Sequence, residues 1–425
     1  MSVIEKVNIQ CMHLINKEKV EWSEEGATAG ICIPQVFFAN GEPWKSVNYY
    51  VLQLYQSFQW SSLKTVLSQI NHLNAYSIWL KNNNIDWKQF PVTEKNRCIY
   101  IYRGFLIEQR NSGGLAASTV KHRINAVINF YKWFYENKLH TTKIWKDNSE
   151  EFNELDKPNF ERTIETSLRK LYIPNRKRVG SCLEDGVVPI TSKSRSILIN
   201  ELFNSGKIEL YLMHKIAFYT GARSETIRTM QISSLENVMV DENTNEIVYM
   251  RVGPPTKVKT KFDVQGFLIF PSILIKELLE YAYSIRRLTR LELTTDNNKT
   301  YLFLTSRGNP YSETSFTKEI SDMRGFLIKR GHPEFSHFKF HQTRATYGSM
   351  LMQFALSAYP GTATAVGFVR NAMLHKHEST TWKYVKFLES ESIKEKLADE
   401  FFNFFKNGLE NAHENIGGVD YDNYS

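Results

Sequence analysis

No stretch of this 425-residue chain approaches the run of about twenty apolar residues that a membrane-spanning helix needs. Cysteine is scarce. Cys11, Cys32, Cys98 and Cys182 lie far apart and follow no zinc-ligand spacing, which argues against both a disulfide scaffold and a structural zinc site. The opening MSVIEKVNIQ has no continuous apolar core and no small-residue cleavage site, so no secretory signal is expected there. No internal repeat or low-complexity tract is found. Together these absences lead to the expectation of a soluble, cytoplasmic protein with four free thiols.

The chain is 42% hydrophobic and carries a formal charge of +8, from 53 Lys+Arg against 45 Asp+Glu. Its length exceeds one ordinary core, so two or three domains are expected. The basic excess points mildly to a polyanionic partner, since many proteins without one are as basic.

Residues 1–50 hold short apolar runs such as Ile31 to Phe38, broken at Asn40-Gly41, and read as a strand-rich or irregular extension without chemistry of its own. From 51 to 140 the pattern is helical: Leu63, Leu67, Ile70, Leu73 and Ile78 recur at helical spacing. A further helix is expected from a Ser118-Thr119 cap, with Ile124, Val127, Ile128, Tyr131 and Phe134 on its core face. Lys121, His122, Arg123 and Lys132 lie off that stripe, as a solvated face or one that touches DNA. Residues 141–185 are polar, with Arg169-Lys170 and Arg176-Lys177-Arg178 around Pro174, and read as a linker able to follow a phosphate backbone, or simply an exposed one. A second domain spans 186–410. It opens with a helix carrying Ile208, Leu212, Ile216 and Tyr219 that ends at Gly221. Strands at 238–240, 247–252 and 267–270 follow, and the rest is mainly helical. Residues 411–425 read as a disordered tail.

Five of the eleven histidines, His332, His337, His341, His375 and His377, fall in one C-terminal stretch. A metal site is the first reading to weigh, but no cysteine is near and acids are few. His341-Gln342-Thr343-Arg344 suits an anion better. At i and i+3 the imidazole and guanidinium share a helix face, and the guanidinium fork binds phosphate through parallel hydrogen bonds. Tyr347, Met350, Leu351 and Phe354 would anchor that helix in the core. Thr220-Gly221-Ala222-Arg223 places a second arginine at a sharp junction that Gly221 permits. Lys257, Lys259 and Lys261 alternate between two strands and would face one way if extended there, whether to meet solvent or to carry an ammonium to a leaving oxygen. The segment HKHESTTWKY, 375–384, ends in Tyr384.

The order of these elements resembles the tyrosine recombinases, the family of phage integrases and chromosome-dimer resolvases. The matches are TGAR at 220–223, the VKTK hairpin, HQTR at 341–344 and HKHESTTWKY at 375–384. The departures are Leu374 where a glycine usually precedes the second histidine, Thr226 where an acid usually stands three residues after the first arginine, with Glu225 one position early, and Ala345 after Arg344. The segment between Arg344 and His375 is also longer than usual. The resemblance covers nearly the whole chain past residue 50.

It implies a mainly helical protein with a small antiparallel sheet in its C-terminal domain: a helical, SAM-like core-binding domain at 51–140 and an α+β catalytic domain at 186–410. It implies a site-specific DNA recombinase that integrates, excises or transposes a mobile element. Tyr384 would attack a phosphodiester to form a 3′-phosphotyrosyl bond. His341 would assist its deprotonation, Arg223 and Arg344 would stabilise the phosphorane, and His375 would add a hydrogen bond. Lys259 would protonate the 5′-oxygen, with Lys257 and Lys261 as alternatives. Lys121, Arg123, Arg176, Lys177 and Arg178 would contact DNA. No metal or nucleotide is implied. The implied partners are double-stranded DNA and further copies of the chain, a tetramer on synapsed DNA from a monomer or weak dimer, with an accessory DNA-bending protein possible. A terminal helix over Ile393 to Phe405 would pack on a neighbouring subunit or on its own domain. Two rivals remain open: a topoisomerase with the same chemistry but no synapsis, and a DNA-binding regulator with a decayed site.

Overall fold

In a computed structural model of the chain, the residues described are 2–9, 13–16, 21–23, 31–38, 40–57, 63–88, 90–91, 93–137, 171–173, 183–241, 244 and 246–392. They fall into two compact units, divided between Lys177 and Arg178. Arg176, Lys177 and Arg178, the terminal helix expected over 393–405 and the tail 411–425 lie outside the described residues.

In the first unit, β1 (Val3–Ile9) pairs antiparallel with β4 (Ile31–Phe37), and β2 (His13–Asn16) with β3 (Glu21–Ser23). Four helices follow: α1 (Lys45–Ser57), α2 (Leu63–Asn82), α3 (Cys98–Asn111) and α4 (Ala117–Glu136). The boundary expected at residue 50 falls inside α1. Ile33, Val36, Trp44 and Val47 are buried in the same core as Ile70, Tyr102, Ile124 and Phe130, so the strands are part of this unit. Aromatic packing explains the anchoring: the Trp44 ring meets Trp87 edge-on at 5.3 Å and Phe130 at 5.7 Å. The expected stripe of α4 is buried throughout, but the cap is Ala116 without a side-chain bond, which moves Ser118 and Thr119 into the first turn. Lys121 and His122 are exposed on α4 and Arg123 is half-buried.

The second unit is helical around one small sheet. Helices α5 (Ser192–Asn204), α6 (Ile208–Thr220), α7 (Ser224–Arg228) and α8 (Ile232–Glu236) lead to the antiparallel order β5-β6-β7: Met239–Val240, Ile247–Val252 and Gly266–Pro271. Val248, Met250 and Val252 alternate inward on β6, facing Leu268 and Phe270 of β7 in one core. Then come α9 (Ser272–Ala282), α10 (Ile285–Glu292), α11 (Glu313–Lys329), α12 (His341–Ala358), α13 (Thr362–Ala372) and a helix over 378–392, here α14. The last three pack into a second core of this unit, which includes Tyr347, Val366, Met373 and Tyr384 and also takes in Leu183 and Val187. On α12 the expected stripe fails at its end: Phe354 is 66% exposed, whereas Gly348, Met352 and Ala355 are buried. No helix among the described residues is long and apolar enough to cross a membrane, and Cys32 and Cys98 are free thiols.

One core residue sets an acid limit on stability. His214 of α6 is fully buried against Phe338 and Phe340; its Nδ1–H donates to the Leu210 carbonyl at 2.7 Å, and its Nε2 has no hydrogen-bond partner among the described residues. Burial lowers its pKa to about 4, while the Leu210 bond opposes the shift. The folded value lies below the unfolded one, so the unfolded chain binds the proton first as pH falls. Stability from this residue is therefore complete above pH ~6.5 and drops by about 3 kcal/mol by pH ~4. Replacing His214 with leucine should flatten that limb of the stability–pH curve. Equal slopes for variant and wild type in denaturant titrations across this range would refute it.

Candidate active site

Helix α6 ends at Gly221, whose φ of 64° is the left-handed C-cap that glycine adopts at little cost. A Cβ at this position would lie 2.4 Å from Cδ1 of Tyr347, so the turn also packs tightly on α12. The chain leaves this turn with Arg223 as the N-cap residue of α7. Its guanidinium donates to Glu184 Oε2 at 2.8 Å.

Arg344, one turn into α12, is 2% exposed and ties three elements together. It donates to the Gly221 carbonyl at 2.5 Å, to the Met373 carbonyl at 2.7 Å and to Glu184 Oε1 at 3.2 Å. His341 opens the same helix, and its Nε2 lies 3.8 Å from Glu184 Oε2, an electrostatic contact longer than a hydrogen bond. His375 follows α13 after Leu374, which holds a left-handed φ of 53°. The position where the family resemblance lacks its glycine thus keeps the glycine-like backbone. The Nε2–H of His375 donates to Glu184 Oε1 at 2.5 Å, and its Nδ1 accepts from the Thr381 hydroxyl at 2.8 Å. Tyr384, on α14, is wholly buried, stacked with the His375 ring at 6.0 Å, and its hydroxyl donates to Glu184 Oε1 at 3.1 Å.

Five of the six candidate groups therefore surround one carboxylate that sequence reasoning missed. Glu184 sits in a tight turn between buried Leu183 and Val187, at the end of the segment read as a linker. Burial alone would raise its pKa. The facing imidazoles of His341 and His375 and the charge of Arg344 outweigh this and hold it well below the usual carboxylate range. Burial lowers the pKa of His375, against the pull of Glu184 and with help from the two arginines, which suits a neutral ring donating from Nε2. Burial raises Tyr384, the Glu184 charge adds to the rise, and Arg344 and Arg223 oppose it. The phenol is a neutral donor in this arrangement.

The acid paired with Arg223 is thus Glu184 and not Glu225, the acid near it in sequence. Glu225 is exposed, and Thr226 is buried on α7. Thr381 is a second residue that was quoted in sequence but given no role; it fixes the ring of His375.

The lysine segment is not an extended hairpin tip. Residues 253–258 form turns and bends, Thr260 is extended and 261–263 make a short 3-10 turn, with Val258 and Thr260 buried and Lys257, Lys259 and Lys261 exposed around them. The cleft at the site is lined by Lys261 together with Glu184, Arg223, His375, Lys376 and Lys383. Lys257 lines a different groove, with Gln231, Met239 and Arg251, while the backbone N–H of Lys259 donates to the Thr229 hydroxyl at 2.9 Å. Of the other clustered histidines, His377 lines the cleft, His337 is exposed, and His332 lies between Glu201 and Glu334 at 3.8 and 3.7 Å.

Neither a scan against protein-family models nor a search of curated proteins finds a match. Among solved structures, the chain is similar to the Tn1549 transposon integrase in complex with a circular intermediate DNA. That match has a TM-score of 0.50 at 10% identity, covering 82% of this chain and 98% of that one. The XerH site-specific recombinase bound to palindromic difH substrate aligns at 0.49 and 14% identity, over 83% and 84% of the two chains. A lambda integrase dimer bound to a COC′ core site aligns at 0.45 and 14%, over 80% and 94%. At these identities the likeness is one of architecture: this chain shares the fold of the Tn1549 integrase.

Proposed function

We propose that this chain is a site-specific DNA recombinase of the tyrosine type, cutting and rejoining strands through a 3′-phosphotyrosyl bond at Tyr384. The observation that carries this reading is the convergence of Arg223, Arg344, His341, His375 and the Tyr384 hydroxyl on a single anion, the Glu184 carboxylate. A site that surrounds a small oxyanion with two guanidiniums and two imidazoles beside a buried phenol suits phosphoryl transfer to that phenol. The fold shared with an integrase whose structure holds circular intermediate DNA supports the same reading.

In this mechanism the Tyr384 oxygen attacks phosphorus, the P–O5′ bond breaks, and His341 takes the phenolic proton. Arg223 and Arg344 stabilise the charge on the equatorial oxygens, and His375, held by Thr381, donates a hydrogen bond to them. Lys261 donates the proton that the 5′-oxygen needs, in preference to Lys259, because Lys261 lines the cleft. A 5′-hydroxyl from a partner strand reverses these steps. The exposed Lys121 with Arg123 on α4, and the basic run Arg176 to Arg178, are proposed to follow the DNA backbone. Strand exchange between two duplexes calls for a tetramer, and the physiological event is the integration, excision or transposition of a mobile element.

The test uses duplex DNA carrying the element's own end sequence, nicked so that cleavage is irreversible. It is incubated in EDTA with wild type or Tyr384→Phe and resolved on denaturing gels. A covalent protein–DNA band from wild type alone is expected. A wild type that shifts this DNA yet forms no adduct, or an adduct that persists in Tyr384→Phe, would reject the assignment.

A further inference from the structure

We propose that Glu184 occupies the seat of the scissile phosphate in the free protein and must swing out before a phosphodiester can enter. An acid that merely positioned one catalytic group would meet that group and leave the centre of the site open. Glu184 does the reverse. Its Oε1 meets Arg344 at 3.2 Å, His375 at 2.5 Å and Tyr384 at 3.1 Å, while Oε2 meets Arg223 at 2.8 Å and lies 3.8 Å from His341. The two oxygens stand where two non-bridging phosphate oxygens would be held, and the innermost donors, Arg344, His375 and the Tyr384 hydroxyl, all face Oε1 while it stays. Two negative groups cannot share this buried cluster, so binding of one excludes the other.

The turn that carries Glu184 is fixed, and only its side chain has to move. Leu183 and Val187 are buried on either side, the Leu183 N–H donates to the Val187 carbonyl at 3.1 Å, and Gly186 closes the turn at a φ of 69°. Just beyond, the Val188 carbonyl accepts from Gln342 and the Ile190 N–H donates to the Thr346 hydroxyl, both on α12. Rotation about the Glu184 side-chain bonds releases the seat while the turn keeps its place. The cleft, lined by Lys261, Lys376 and Lys383, offers cations to the displaced carboxylate. The arrangement leaves both arginines engaged by one carboxylate until a better-placed anion arrives, so the free protein holds off stray phosphates and commits to DNA that is already docked. The identity of the entering anion as a DNA phosphodiester rests on the function proposed above.

The experiment compares wild type, Glu184→Gln and Glu184→Ala in two assays. The first is binding of inorganic sulfate, followed by thermal shift and by calorimetry without DNA. The second is single-turnover adduct formation on the nicked duplex. Both variants are expected to bind sulfate roughly tenfold more tightly than wild type, since the competing anion is gone. They should also form adduct faster at subsaturating DNA by a similar factor. Glutamine keeps the shape of the side chain, so Glu184→Gln answers the question if the alanine variant fails to fold. Sulfate affinity equal to wild type in Glu184→Gln overturns the proposal, as does slower adduct formation by a well-folded Glu184→Gln, which would make Glu184 a positioning acid. Tighter sulfate binding with no adduct from any of the three proteins would uphold the occupied seat and reject the strand-cleavage chemistry instead.

Discussion

Arg344→Ala is expected to cost about 3–5 kcal/mol of stability, as removal of one partner from a buried charge pair does. The guanidinium holds more than the Glu184 carboxylate. Its loss leaves the Gly221 and Met373 carbonyls without their donor, and these belong to the turn after α6 and the end of α13. Three elements that carry Arg223, His341 and His375 are fastened at this one side chain, which is only 2% exposed. For a unit of this size the loss corresponds to a fall in melting temperature of roughly 10 °C. Arg344→Lys should recover part of it, because an ammonium can satisfy one or two of these acceptors but cannot span all of them. Adduct formation should fall further than stability, by about 10²-fold or more, through loss of phosphorane stabilisation. The double variant Arg344→Ala with Glu184→Ala separates the two components. Removing both charges should cost less than the sum of the single changes, by about 0.5–3 kcal/mol. Calorimetric melting of the four proteins measures this directly. A melting temperature for Arg344→Ala within a few degrees of wild type would show that the arginine is not the fastening the hydrogen bonds indicate.

Gly348→Ala is expected to act opposite to the usual helix rule. In an open helix the change gains close to 1 kcal/mol. Here the added Cβ would lie 2.4 Å from Cε1 of Tyr384 and 2.6 and 2.7 Å from the Cε and Sδ of Met373. Methionine can swing aside, but the tyrosine ring is rigid, wholly buried and tethered through its hydroxyl. Overpacking of this kind costs about 1–3 kcal/mol. On the proposed mechanism the ring also carries the nucleophile, and a shift of about 1 Å can cost on the order of 10²-fold in rate. Activity should therefore fall well beyond what the melting temperature suggests, with DNA affinity kept. Gly325→Ala on α11 is the control: among the described residues, no atom beyond its chain neighbours and its own helix backbone lies within 4 Å of the added Cβ, so this variant should gain stability and keep its activity. A Gly348→Ala protein that melts higher than wild type and forms adduct at the wild-type rate would disprove the packing argument.

What sequence could and could not reveal follows from the range of the interactions. The stop of α6 at Gly221, the stripe of α4 and the span of β6 are local, set by helical period, by short apolar runs and by one residue's torsional freedom, and all three stood out. His341 and Arg344 were legible for the same reason, because one helix turn puts them on one face. Glu184 was not. Its partners Arg344, His375 and Tyr384 are 160, 191 and 200 residues away, and a single acid in a turn has no period to betray it. The lysines were half legible: alternation around buried Val258 and Thr260 put all three on the outside, but which one meets the cleft depends on the turns of residues 253–263. The N-terminal strands failed as a boundary because Trp44 and its aromatic neighbours fuse them to the helices, a contact that no spacing rule encodes.

The left-handed backbone at Leu374 has a counterpart on β7. A Cβ built on Gly266 would lie 2.4 Å from Cδ2 of Leu374, so the leucine fills the space that the missing side chain of Gly266 leaves. Such a conformation costs an L-residue about 1–2 kcal/mol, which the packing of Leu374 against that bare strand position helps offset. The small residue the turn before His375 calls for is thus present in space, though on β7 and about a hundred residues earlier in the chain. A signature defined by letters passes over such an exchange; one defined by torsion angle and free volume finds it.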